Sequence, residues 1–141
     1  MKGVENMIND AGCMRQIGIK ETKDLDGNIQ YSGIYGMEVI LDCYGCNRKL
    51  FYKKHLKRYF KGLVEEIDMQ AADRYFFRES TGLCAIQFIE TSNITVHCHN
   101  KLKRLYVNIF SCKEFDAYDA KIYTDDFFSP RRIDERTVLR I

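Results

Sequence analysis

The chain has no tryptophan, a single proline and three histidines in 141 residues. It also has no dominant charge: 22 basic against 20 acidic residues leave a net +2. So even a balance gives no electrostatic ground for a nucleic-acid partner. No apolar run approaches the roughly 18 residues of a membrane-spanning helix, so no membrane partner is expected. The opening Met1-Lys-Gly-Val-Glu-Asn-Met7 lacks the apolar core of a secretory signal. A cytoplasmic location is expected from this. The length suits one core and is short for two independent domains.

What is present is the mixture of a globular domain, 45% hydrophobic and 30% charged. Nine tyrosines and nine phenylalanines are available to fill a core, line a pocket or cover a subunit interface. The six cysteines are Cys13, Cys43, Cys46, Cys84, Cys98 and Cys112. Without an export signal they read as free thiols and not as a disulfide framework. Cys43-x-x-Cys46, with His97 and His99 downstream, is the one pattern that invites zinc. A second Cys-x-x-Cys pair is missing, and no metal site is expected. A redox pair of this spacing should open a helix, and Cys43 closes a predicted strand instead.

Asp24-Leu-Asp-Gly-Asn28 predicts a turn, with a hairpin between Ile17–Glu21 and Ile29–Ser32. Met37–Cys43 alternates and is rich in β-branched residues, so it reads as a strand. Leu50–Ile67 carries apolar residues at helical spacing. Its Lys53, Lys54, Lys57, Arg58 and Lys61 are expected on a solvated face. Strands are predicted at Asp73–Arg78, Leu83–Glu90, Ile94–Cys98 and Tyr106–Phe110. A second helix spans Asp116–Phe128, stopped by Ser129-Pro-Arg-Arg132, and Thr137–Ile141 closes as a strand. This order predicts an α+β, two-layer sandwich: an antiparallel sheet with helices packed on one face. Residues 1–33 show no strong period and are expected to be an extension of a domain over 34–141.

The densest chemistry lies in Phe88-Ile-Glu-Thr-Ser-Asn-Ile-Thr-Val-His97 and Phe110-Ser-Cys112. These strand-like stretches carry a serine, a histidine and a cysteine. In isolation each has a bland reading. A strand serine bonds a neighbouring backbone group, a strand histidine is structural, and a buried thiol is inert. Their order and spacing add to this.

The chain resembles the small, prokaryotic-type S-adenosylmethionine decarboxylases, which use a pyruvoyl group. The resemblance runs from about Gly36 to the end of the sequence. Gly36-Met-Glu-Val-Ile-Leu-Asp-Cys-Tyr-Gly-Cys46 is similar to the family's opening strand with its Asp-x-x-Gly-Cys ending. Gly82-Leu-Cys-Ala85 is similar to the strand that carries a processing serine. Ser92-Asn-Ile-Thr-Val-His97 resembles the Ser-His-x-x-Ile-His block. Val107-Asn-Ile-Phe-Ser-Cys112 resembles Val-Asp-Val-Phe-Thr-Cys.

The resemblance implies a chain that cuts itself between Thr91 and Ser92. Ser92 would become a pyruvoyl group, with no metal or dissociable cofactor. Its ketone would form a Schiff base with a substrate amine and withdraw electrons as carbon dioxide leaves. His97 matches the histidine that assists processing, a role suited to a side chain that changes charge near neutral pH. Cys112 matches the cysteine that returns a proton to the substrate carbon. Cys84 stands where the family has a hydrogen-bonding serine, and a thiol is the weaker donor. A homodimer with pockets near the interface is also implied.

The departures fall around the substrate. Thr91 replaces a glutamate, with Glu90 displaced by one position. Asn93 replaces a histidine, and Glu38 stands where the family tends to have one. Cys98-His-Asn-Lys101 replaces Thr-Trp-Pro-Glu, so Lys101 stands where a glutamate is expected to hold ribose hydroxyls. Glu38, Glu90, Asn93 and Lys101 are therefore the candidate substrate-binding residues. S-adenosylmethionine is the default substrate, and arginine or ornithine is the alternative, both serving polyamine synthesis. A third reading is a homologue that does not process and acts as a partner subunit.

Overall fold

The computed structural model describes residues 19–141. A two-stranded hairpin comes first, with β1 (Ile19–Lys23) antiparallel to β2 (Ile29–Gly33). The predicted turn forms as read. The Asp24 carboxylate accepts from the backbone N–H groups of Asp26 and Asn28 at 3.0 and 2.8 Å, the local bonding that favours Asp in turns. The predicted first strand began at Ile17, which lies outside the described residues.

The rest forms one six-stranded antiparallel sheet, two α-helices and a short 3-10 turn at Arg48–Leu50. The strands are β3 (Gly36–Tyr44), β4 (Ala71–Arg78), β5 (Leu83–Ile89), β6 (Ser92–His99), β7 (Arg104–Ser111) and β8 (Arg132–Arg140). Their spatial order is β4-β5-β6-β7-β3-β8. Helix α1 is Lys53–Glu66 and α2 is Ala117–Phe128. The predicted α+β sandwich is therefore present.

The strand period decides which face is covered. Val39 and Leu41 on β3, Ile94 and Val96 on β6, and Val107 and Ile109 on β7 are buried. Their neighbours in sequence are half-buried or exposed. Helix α1 meets the buried face with Leu56, Tyr59, Phe60, Leu63 and Val64, a stripe at helical spacing. Each such side chain contributes about 1.5–3 kcal/mol by leaving water. Its five predicted surface cations are all exposed. Helix α2 adds Ala120, Thr124 and Phe128. The Asp116 side chain caps it, accepting from the Tyr118 N–H at 2.8 Å. The buried Tyr59 hydroxyl finds Thr124 Oγ1 at 2.8 Å, joining the helices through a satisfied polar pair.

Several boundaries differ from the sequence reading: β6 begins at Ser92 and not Ile94, β7 at Arg104 and not Tyr106, and α1 at Lys53 and not Leu50. Strand β8 begins at Arg132, five residues before the predicted Thr137. Its early residues are charged and face water along a sheet edge, so they carry no apolar alternation. Strand β4 begins at Ala71, before the predicted Asp73, and carries a bulge between Ala71 and Arg74. The buried Gln87 amide fills that bulge, donating to Ala72 O at 2.9 Å and accepting from Arg74 Nε at 2.8 Å.

Candidate active site

Ile89 pairs with Ser92 across β5 and β6, which leaves Glu90-Thr91 as a two-residue hairpin turn. Glu90 has φ +47°. A positive φ suits the tight hairpin, but in a residue with a Cβ it costs on the order of 1–3 kcal/mol. The peptide bond between Thr91 and Ser92 follows directly.

Ser92 faces the helix-covered side and is 5% exposed. Its hydroxyl donates to Ser111 Oγ at 3.2 Å and accepts from the Cys112 N–H at 3.3 Å. Ser111 is fully buried and accepts a second hydrogen bond, from the Lys113 N–H at 2.9 Å. Thr91 Oγ1 lies 2.8 Å from Cys112 Sγ. Thr91, Ser92 and Cys112 thus form one cluster at the end of β6 and β7, with Ser111 as its buried base.

His97 and Cys84 form a second cluster. They pair directly across β5 and β6, with Cys84 Sγ 3.1 Å from His97 Nδ1. Burial pushes the Cys84 thiol upward in pKa, and the Glu79 carboxylate adds to the effect. His97 stands five positions after Ser92, an odd step along the strand. Strand geometry therefore sends them to opposite faces, about 16 Å apart along the strand. Within one chain His97 and Cys84 do not reach Ser92.

The third feature is a cleft of about 360 Å³ lined by Tyr35, Glu38, Asn93, Phe110, Arg140 and Ile141. It is on the open face at the Ser92 end of the sheet. Its base follows from register: Asn93 pairs with Phe110, and Phe110 pairs with Glu38. Glu38 accepts from Asn108 Nδ2 at 3.2 Å, and Arg140 Nη1 lies 3.6 Å from its other oxygen. The Tyr35 and Phe110 rings stack at 6.3 Å. Gly36 makes this approach possible. A methyl group there would sit 2.8 Å from the Ser111 carbonyl oxygen and 3.2 Å from the Phe110 ring.

Of the predicted substrate residues, Glu38 and Asn93 line this cleft. Glu90 is exposed on the hairpin turn. Lys101 is exposed in the turn after β6, at the other end of that strand. Tyr35, Phe110, Arg140, Ile141 and Ser111 were not singled out from sequence. Phe110 and Ser111 were detectable in principle, because they adjoin Cys112 and alternate between the two faces. Arg140 and Tyr35 meet the site through the β3–β8 pairing, for which the sequence carries no local signal.

Cys43 and Cys46 are buried and joined by a hydrogen bond that raises the Cys43 pKa and lowers that of Cys46; burial reinforces the rise at Cys43. Among the described residues no group of three or more His, Cys, Asp or Glu side chains is placed to hold a metal ion. No helix among them is long and apolar enough to cross a membrane.

Residues 37–141 match the family model for S-adenosylmethionine decarboxylase. The chain belongs to the S-adenosylmethionine decarboxylase family. The match begins inside β3, so the β1–β2 hairpin stands outside it. Among solved structures, the adenosylmethionine decarboxylase from Aquifex aeolicus VF5 is similar, with a TM-score of 0.66. The similarity covers 76% of this chain and 91% of that one at 18% identity, a likeness of fold. No curated protein sequence matches the chain. As a member of a decarboxylase family, the chain places its Ser92 cluster and its cleft at the same end of the sheet, joined through Asn93.

Proposed function

We propose that the chain is a pyruvoyl-dependent S-adenosylmethionine decarboxylase that processes itself at Ser92. The observation that carries this reading is the setting of Ser92. Its hydroxyl is buried and oriented immediately after a strained turn, beside Cys112 and next to the Asn93 edge of the cleft. These residues fit a group made from Ser92 itself.

In processing, Ser92 Oγ bonds to the Thr91 carbonyl carbon as the Thr91–Ser92 C–N bond breaks. The hydroxyl proton ends on the freed amine. Loss of the Ser92 α-proton with cleavage of its Cβ–Oγ bond releases Thr91 as a carboxylate. Water then replaces the nitrogen, which leaves as ammonia. The resulting ketone supplies an electron sink for decarboxylation. Cys112 holds a transferable proton beside the same chain end. Asn93 and Glu38 orient the substrate, and the Tyr35–Phe110 pair offers a flat apolar wall.

The separation of His97 from Ser92 supports a homodimer in this reading. Two chains packed through their open sheet faces would bring His97 of the partner subunit toward the hairpin. Half-buried Ile40, Ile86 and Tyr106 and exposed Phe88 give that face its apolar character. A second substrate reading, arginine or ornithine, is favoured by Glu38, a carboxylate suited to a distal cation. Its engagement with Arg140 and Asn108 weighs toward S-adenosylmethionine.

Denaturing mass spectrometry tests the proposal. Two fragments meeting at 91/92 are expected, the second without a free amine, and Ser92→Ala should stay whole. A wild-type chain that never cuts would sink the proposal and favour a non-processing partner subunit. Parallel assays of carbon dioxide release from S-adenosylmethionine, arginine and ornithine then choose the substrate.

A further inference from the structure

We infer that Ser111 is a positioning residue for self-processing: it aims the Ser92 hydroxyl at the bond that breaks. The inference rests on the self-processing reading above and adds a residue to it.

Hydrogen-bonding valence leaves the Ser92 hydroxyl little freedom. A serine hydroxyl has one donor and two acceptor sites. Ser92 gives its proton to Ser111 Oγ at 3.2 Å and accepts from the Cys112 N–H at 3.3 Å. One lone pair is left, the one that must reach the Thr91 carbonyl carbon. Ser111 is itself fixed. It accepts from Ser92 and from the Lys113 N–H at 2.9 Å, and it points its own proton at Met69 Sδ, 4.0 Å away. All its sites are used, and it is 0% exposed, so no water competes for it.

Ser111 also stands where the resemblance left a vacancy. The helpers assigned from sequence, His97 and Cys84, are on the opposite face of the same chain. On the covered face, Ser111 is the side chain within hydrogen-bond distance of the Ser92 hydroxyl. It belongs to the strand end that carries Cys112, so one backbone segment sets both the attacking oxygen and the later proton donor. A hydroxyl is too weak a base to hold the Ser92 proton as its own. Its contribution is direction, and misdirection of an attacking group costs about a hundredfold in rate.

The test is a cell-free translation time course, with fragments read by mass spectrometry. Ser111→Ala should slow scission by about 10- to 100-fold and lower the thermal unfolding midpoint, because the Lys113 N–H loses its acceptor, while the chain still folds. Ser111→Thr, which keeps the hydroxyl, should cut at nearly the wild-type rate. Ser111→Val, of the same size without the hydroxyl, should cut as slowly as Ser111→Ala. This Thr–Val pair carries the test if the alanine variant folds poorly. Equal rates for Ser111→Thr and Ser111→Val would overturn the inference, as would wild-type scission in a folded Ser111→Ala chain. A wild-type chain that stays whole would instead overturn the underlying reading.

Discussion

Thr91 Oγ1 and Cys112 Sγ lie 2.8 Å apart, across the gap between the β5–β6 hairpin and the end of β7. The contact links the residue on the carbonyl side of the proposed scission to the proposed proton donor. In the uncut chain the thiol is engaged. A cut after Thr91, as proposed, would make that residue a free end and loosen its hold on Cys112. On the proposed reading, this one bond would couple processing to exposure of the Cys112 thiol.

The coupling is measurable without turnover. In an uncut Ser92→Ala background, Thr91→Val should speed alkylation of Cys112 by iodoacetamide. About fivefold is expected, the factor for one hydrogen bond of ~1 kcal/mol. Peptide mapping separates Cys112 from half-buried Cys84, whose rate should not change. Equal Cys112 rates with and without the Thr91 hydroxyl would mean that the contact restrains nothing.

Gln87 is a structural counterpart, a fully buried amide on β5. It donates to Ala72 O and Phe88 O at 2.9 and 2.8 Å and accepts from Arg74 Nε at 2.8 Å. Leucine would fill the volume and leave those groups unpaired. Gln87→Leu should therefore destabilise the fold by about 2–4 kcal/mol, read as a lower urea midpoint. A midpoint at or above wild type would show that the β4 bulge is held by other contacts.

Stability should fall in alkali. Burial pushes the Cys98 thiol from 9.0 up to about 12, with Cys84 and Cys46 adding to the shift. Burial likewise raises the Tyr59 hydroxyl, partly offset by its bond to Thr124. The folded chain holds these protons after the unfolded chain has released them. The Cys98 contribution is complete below pH 9.0 and is lost as pH rises toward about 12, and the Tyr59 contribution begins to be lost only above pH 10.0. Each group steepens the decline by up to about 1.4 kcal/mol per pH unit. Urea unfolding of Cys98→Val across this window should give a shallower slope than wild type. An unchanged slope would remove Cys98 from the account.

The order of elements was legible because the sheet alternates with period two and α1 repeats at helical spacing. The Asp24–Asn28 turn was legible because an Asp side chain bonds its own turn in a way that depends on a few neighbours. The start of β8 was not, since an edge strand of charged residues looks like a loop. At the site, the sequence singled out Ser92, Glu38, Asn93 and His97; the structure sets the first three at one end of the sheet and His97 farther along β6. The odd spacing of five positions already placed Ser92 and His97 on different faces of one chain, because strand side chains alternate. Arg140 was invisible for another reason. It reaches Glu38 through pairing between strands nearly a hundred positions apart in the chain.

The separation of the two faces lets processing and substrate binding be perturbed independently. Glu38 lines the cleft on the open face, whereas Ser92 and Ser111 lie on the covered one. Glu38→Gln should therefore leave scission at 91/92 at its wild-type rate. It should also weaken substrate binding, because a neutral amide loses the attraction for a cationic substrate and leaves Arg140 without its 3.6 Å partner. A charged hydrogen bond contributes about 1.5–3 kcal/mol, so KM should rise by about tenfold or more with a smaller change in kcat. Mass spectrometry and steady-state kinetics on one preparation read both effects. If Glu38→Gln blocked scission, the two faces would not act independently. If it cut normally and turned over with an unchanged KM, the cleft would not be where the substrate binds.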